Sequence, residues 1–536
     1  MNRPSNLTRR EFLRLSGLGL GGLAVSSLLS ACGLTLEPDT LVPLGSTAAP
    51  ASGLATPSST GELVEISLRA ARASYDILPG GKTRVWQYQA SLLQGPPASL
   101  QTLPDSYLGP ILRLRRGQML KVHFENQINE PSIIHWHGLS VPDEMDGHPR
   151  HAIEHGQSYT YEFPILNRAG TYWFHPHPHQ RTGPQVYYGL AGLLIVSDDE
   201  EAALGLPAGD FDLPLVIQDR IFDSQNQLDY AANPMTGFFG DQILVNGQVD
   251  YILEAAAAPY RLRLLNGSNA RIYKLAWDDG APLTVIATDG GLLEKPVERD
   301  YVTLAPGERA ELYADFSADP VGTQRSLVSL AFEGRGGGMG GMMGGSAAGL
   351  PQGTKMDILR SKITRAGQAG PGLPERLSAP GFFAVQDAVN ARRPRRFDLT
   401  MHMAGLINGR TFEMESVASD EVVRLGDLEV WEFANLGGGG MSMMGGSDQP
   451  HPMHIHNVQF QVLERRLEGG LPRAYNTLSD GFVDSGWKDT VLVMPGEAVR
   501  LLVKFDHYVG LYLYHCHNLE HEDGGMMRNY RVESRG

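Results

Sequence analysis

After residue 62 the chain is written in short runs in which apolar and polar positions alternate. The runs are rich in Val, Leu, Tyr and Phe and are separated by Gly, Pro, Asp and Asn. Successive side chains of a strand point to opposite faces, so a period of two broken by turn residues predicts an all-β chain. The pattern also repeats. Residues 117–126 (GQMLKVHFEN) are echoed by 259–266 (PYRLRLLN) and by 426–435 (GDLEVWEFAN). A second element follows each: Gly156-Gln157 leading to Phe163 and Gly170, Gly307-Glu308 to Phe316 and Gly322, and Gly496-Glu497 to Phe505 and Gly510. Three copies of one Greek-key sandwich are predicted, and 536 residues are enough for each to have its own core.

The first 62 residues break this pattern. Residues 8–14 (TRREFLR) precede an apolar run over 15–31 that reads as a twin-arginine export signal; it is short and rich in Gly and Ser, which favours a signal over a membrane span. Leu29-Ser30-Ala31-Cys32 resembles a lipobox, so Cys32 is expected to be lipidated, to become the mature N-terminus and to anchor the protein to a membrane. The segment that follows, 33–62, is full of Ser, Thr, Ala, Gly and Pro and reads as a flexible tether. The expected location is the periplasm or cell surface. A net charge of -15 with no basic block argues against a nucleic-acid partner.

Chemistry concentrates near the C-terminus. His515-Cys516-His517 is followed by His521 and Met526, placing a soft thiolate, imidazoles and a thioether within a dozen residues. In an extended strand Cys516 faces one way and His515 and His517 the other, so one strand can serve two metal sites. Three more His-x-His pairs occur, His135/His137, His175/His177 and His454/His456, the last preceded by His451, while no histidine occurs from residue 181 to 401. Eight paired imidazoles suit a cluster of three coppers. His451, His521, Cys516 and Met526 suit a single blue copper. Cys32 and Cys516 are the only cysteines, so no structural disulfide is expected. Aligning Gly170 with Gly510 lays His175-Pro176-His177 over His515-Cys516-His517, so the first copy has proline where the third has its thiolate. The mononuclear site then belongs to the third copy and the cluster lies between the first and third.

The motifs HWHG, WFHPHPH, HPMHIH and HCHNLEHEDGGM resemble those of three-domain multicopper oxidases of the bacterial laccase and cuprous oxidase type. The resemblance covers nearly everything after the leader. It implies three consecutive cupredoxin-like domains, at 63–205, 206–365 (without copper ligands) and 396–536 (with the type 1 copper), and a linker at 366–395. It also implies four copper ions per chain. The type 1 ion would be held by His451, Cys516, His521 and axial Met526, with Met527 a neighbouring competitor. The type 2 ion would take His135 and His454, and the type 3 pair His137, His175, His177, His456, His515 and His517. Electrons taken singly from a donor would pass from Cys516 to the flanking cluster ligands, where four of them reduce dioxygen to water. Asp146 and Glu522 match the family's acidic relay residues, and Asp448 is a candidate acceptor behind His451. The other histidines, His123, His148, His151, His155, His179, His402 and His507, read as surface or satisfied strand residues.

Two glycine-rich stretches, 336–345 with Met339, Met342 and Met343 and 437–446 with Met441, Met443 and Met444, offer thioethers, which prefer Cu(I). They resemble the methionine-rich insertions of cuprous oxidases, and Met401, His402 and Met403 add to the same chemistry. The expected donors are therefore phenols, aromatic amines or Cu(I). The alternative is an enzyme that is primarily a cuprous oxidase for copper tolerance. A metal-free scaffold is disfavoured because no ligand is missing, and a two-domain nitrite reductase because a third repeat is present.

Overall fold

Each repeated sequence unit folds into the same local arrangement. The strands Met119–Asn126, Pro259–Asn266 and Leu428–Asn435 each lie at the centre of a sheet. Each pairs in parallel with the strand that opens its sandwich, Leu63–Tyr75, Asp212–Arg220 or Arg395–Met401. Each also pairs antiparallel with Ser158–Pro164, Arg309–Asp315 or Glu497–Lys504. The computed structural model describes residues 61–334, 349–367, 370, 372–401, 404–435, 449–468 and 473–535. The leader with Cys32, most of the tether, both glycine-methionine stretches, His402, Met403 and Asp448 lie outside them.

Among the described residues six sheets stack in pairs, giving three consecutive cupredoxin-like sandwiches. Alternation explains the cores. In Leu63–Tyr75, Val64, Ile66, Leu68 and Ala70 point inward to meet Leu120, Val122 and Phe124. The second and third sandwiches have equivalent cores, around Leu262, Leu264 and Leu312 and around Trp431, Phe433 and Leu501. Further apolar clusters join the sandwiches: Trp173 and Tyr187 of the first meet Val216 and Phe238 of the second, and Ile272 and Ala305 of the second meet Leu492 and Met494 of the third. These contacts, made through the second sandwich, bring the first and third together. The strands Ile134–His137 and Gly170–Pro176 of the first therefore confront His451–Ile455 and Gly510–Cys516 of the third.

Candidate metal centre

All four His-x-His pairs meet at this junction, with every ring at most 1% exposed. Within each pair the rings lie on one side of the strand, with centroids 5.7 Å apart for His135/His137, 6.1 Å for His175/His177, 5.0 Å for His454/His456 and 5.7 Å for His515/His517. Pairs from opposite sandwiches run antiparallel over one another. His135 stacks on His456 at 3.6 Å and His137 on His454 at 3.7 Å. His177 meets His515 and His175 meets His517, with centroids 5.0 and 5.3 Å apart.

The protein fixes which nitrogen of most rings is free. Carbonyl oxygens only accept, so the bonds from His135 Nδ1 to Asp146 O (2.7 Å), His454 Nδ1 to Asp489 O (2.8 Å) and His175 Nδ1 to Pro176 O (3.0 Å) put the proton on Nδ1. His456 Nδ1 donates likewise to the Asp146 carboxylate, 2.7 Å away. Their Nε2 lone pairs then turn inward. His137 is reversed: its Nε2 is 3.0 Å from Asp489 Oδ1 and 3.2 Å from Thr490 Oγ1, and Nδ1 has no partner.

His175 Nε2, His177 Nδ1 and both nitrogens of His517 are also buried without a hydrogen bond. Facing Nε2 atoms approach to 3.2 Å for His135 and His454, 3.1 Å for His456 and His515 and 3.4 Å for His177 and His515. Burial first, then the neighbouring rings, keeps five of the imidazoles neutral. His517 is pushed down to about 3, and His137, His175, His454 and His456 well below the usual range. Neutral lone pairs packed this closely are costly on their own and fit metal cations between them.

A second set of donors lies on the opposite face of Gly510–Cys516. Cys516 Sγ is 3.5 Å from His451 Nδ1 and 3.6 Å from His521 Nδ1, all three side chains being buried. Burial pushes the Cys516 thiol well above its ordinary value, so a thiolate here needs a bound cation. Met526 is fully buried in the same apolar cluster as Cys516, and its carbonyl accepts from Cys516 N at 3.0 Å. Met527 packs on the other side with Phe412 and Leu513. His521 sits on the short helix Leu519–Asp523, capped by Asn518, and its Nε2 donates to the Met235 carbonyl of the second sandwich at 3.3 Å.

Both sequence-predicted carboxylates are buried here. Asp146 joins the two clamped rings His135 and His456. Gly147, next to it, has φ +84°, and a Cβ there would run into the Ile134 carbonyl, so only glycine lets the Asp146 turn come this close. Glu522 is 3.2 Å from His515 Nδ1 and 3.4 Å from His177 Nε2. Burial pushes its carboxyl up, but the two histidines outweigh that and hold it below the usual range.

Of the remaining histidines, His148 is fully buried and bonded to Asn529 Oδ1 at 2.9 Å, and His123 bonds Glu65 at 2.7 Å. Sequence reasoning missed Asp489, Thr490 and Glu520. Glu520 ties the His521 helix to the second sandwich by accepting from Tyr230 Oη (2.6 Å), Asn269 Nδ2 (2.8 Å) and Phe238 N (2.9 Å). The available signal for Asp489 was a Lys-Asp pair heading an apolar strand, Thr490–Val493.

Two family models, both described as multicopper oxidase, match residues 84–201 and 388–536. The chain is 32% identical over 426 residues to the multicopper oxidase mco of Staphylococcus aureus, an alignment covering 79% of this chain and 82% of that one. The chain belongs to the multicopper oxidase family. This multicopper oxidase is also 30% identical to a laccase of Bacillus subtilis (strain 168), over 83% of this chain and 90% of that one. It resembles the crystal structure of McoA multicopper oxidase from Aquifex aeolicus, with a TM-score of 0.72, 34% identity, and coverage of 90% of this chain and all of the other. It is a copper oxidoreductase that oxidises a donor and uses dioxygen as acceptor.

Proposed function

We propose that the enzyme holds four coppers: one at His451, Cys516, His521 and Met526, and three among the eight paired histidines. The carrying observation is that two buried donor sets, one with sulfur and one of nitrogen alone, share the strand Gly510–Cys516. His135 and His454 form the type 2 pair. The trios His177/His456/His515 and His137/His175/His517 hold the type 3 ions, with His137 using Nδ1 because Nε2 is taken. Bound copper supplies one-electron acceptance at the sulfur site and four-electron reduction of dioxygen to water at the cluster. The chain itself buries the rings, fixes the tautomers of His135, His137, His175, His454 and His456, and excludes water. Mass spectrometry of the native holoenzyme tests the count: four coppers are expected, and a chain that saturates at one or none rules the reading out.

Met526→Leu is expected to raise the potential of the sulfur site without emptying it, because only a weak axial donor is lost. A redox titration of both forms checks this; an unchanged potential assigns the axial position to another group.

The donor we propose is Cu(I), with phenols and aromatic amines as further donors. Met235 lies over the His521 edge, where its carbonyl already occupies Nε2, and the two glycine-methionine stretches add soft thioethers. Replacing Met339, Met342 and Met343 with Ser is expected to reduce Cu(I) oxidation severalfold more than oxidation of 2,6-dimethoxyphenol, measured by oxygen uptake. Equal loss of both would mean structural damage, and no loss would remove the stretch from the donor site. Export by the twin-arginine route and anchoring through Cys32 belong to the same reading, supported by the leader sequence.

A further inference from the structure

Arg309 opens the strand Arg309–Asp315 of the second sandwich, the one that carries none of the candidate ligands, and its side chain is fully buried. Its guanidinium bonds to all three sandwiches. Nε donates to the Thr171 carbonyl of the first at 3.0 Å. Nη1 and Nη2 donate to the Gly307 and Asp289 carbonyls of the second at 2.9 and 3.0 Å. The same two nitrogens grip Asp489 of the third, at 2.7 Å to Oδ1 and 2.5 Å to Oδ2. A two-pronged pair of this kind fixes the rotation of a carboxylate as well as its place.

That rotation matters because Asp489 Oδ1 accepts from His137 Nε2 at 3.0 Å, while Thr490 Oγ1 bonds the same oxygen at 3.0 Å. The Asp489 carbonyl holds His454, the ring stacked on His137. Gly138, beside His137, has φ +87°, and a Cβ there would strike Asp489 Oδ2 and Arg309 Nη2, so only glycine lets the chain beside His137 pack directly on the pair. His137 is thereby locked with Nε2 outward and Nδ1 free.

We propose that Arg309 is a positioning residue through which the ligand-free second sandwich sets the orientation of His137, and with it the geometry of the three-copper cluster. The inference rests on the ligand reading above. Without the guanidinium, Asp489 would be a buried anion lacking its fork, free to turn away from His137. Ligand-orienting partners of this kind typically change metal affinity by about 10- to 100-fold.

The test compares the copper-loaded wild type with Arg309→Met, Arg309→Lys and the double variant Arg309→Met with Asp489→Asn. Three readouts are taken: copper retained against a chelator, the visible absorption of the Cys516 site per chain, and the paramagnetic resonance spectrum of the cluster copper. Arg309→Met is expected to lose cluster copper about 10- to 100-fold more readily, with an altered spectrum and undiminished visible absorption. Arg309→Lys, which keeps the charge without the fork, should fall between. The double variant removes both charges, so the thermal stability of its copper-free form should recover while cluster retention does not.

If Arg309→Met does not fold, the other two variants decide. The proposal is overturned if the folded variants hold cluster copper as tightly as the wild type with the same spectrum. It is also overturned if both copper sites weaken together in step with copper-free stability, which would make Arg309 structural only. A wild type without cluster copper would instead overturn the ligand reading.

Discussion

Cys516→Ser is expected to abolish the intense visible absorption and all donor oxidation while the chain stays folded. The soft thiolate would be replaced by a hard, protonated oxygen that binds copper poorly in a site built from two imidazoles and a thioether. The fold should tolerate the change, because Cys516 is one small side chain in an apolar cluster that also holds Trp431, Phe433 and Leu501. An unpaired buried hydroxyl costs about 1–3 kcal/mol, a fraction of the stability expected of a domain of this size. Absorption spectroscopy, oxygen uptake and thermal unfolding of the purified variant check the three parts. A serine variant that remained strongly coloured and turned over would take Cys516 out of the copper site.

The second large effect is expected at Asp146. Its carboxylate holds His456 Nδ1 at 2.7 Å while its main-chain carbonyl holds His135 Nδ1, so one residue orients rings from both the first and the third sandwich. Asp146→Ala leaves the carbonyl bond to His135 and removes the acceptor of His456, whose Nδ1–H would be buried unpaired. Copper retention at the cluster should fall about 10- to 100-fold, and oxygen uptake should fall with it. Asp146→Asn keeps an acceptor oxygen and should retain copper far better. Chelator competition on the three proteins measures this. An alanine variant as retentive as the wild type would show that His456 needs no partner behind it.

Much of this centre is written locally. The period of two places His515 and His517 on one side of a strand and Cys516 on the other, and the structure has that division, with Cys516 against Met526 and the two histidines at the junction. The three repeated units were legible for the same reason, since strand, turn and strand are encoded within a few dozen residues. Glycine at 170 and 510 aligned the first and third copies closely enough to place the cluster between them, where His135 and His454 now meet at 3.2 Å.

Tertiary structure alone decided which ring lies over which, the reversal of His137, and the part played by the second sandwich. Each depends on how sandwiches pack against one another, and a strand pattern specifies a face without specifying what that face meets. Arg309 and Asp489 are 180 residues apart, and in sequence each is an ordinary charge at the head of an apolar strand. Only when the three sandwiches close around them do the two charges become a buried pair. Once water is excluded, each must find its partner, and the partner's direction is then imposed on the ligand beside it.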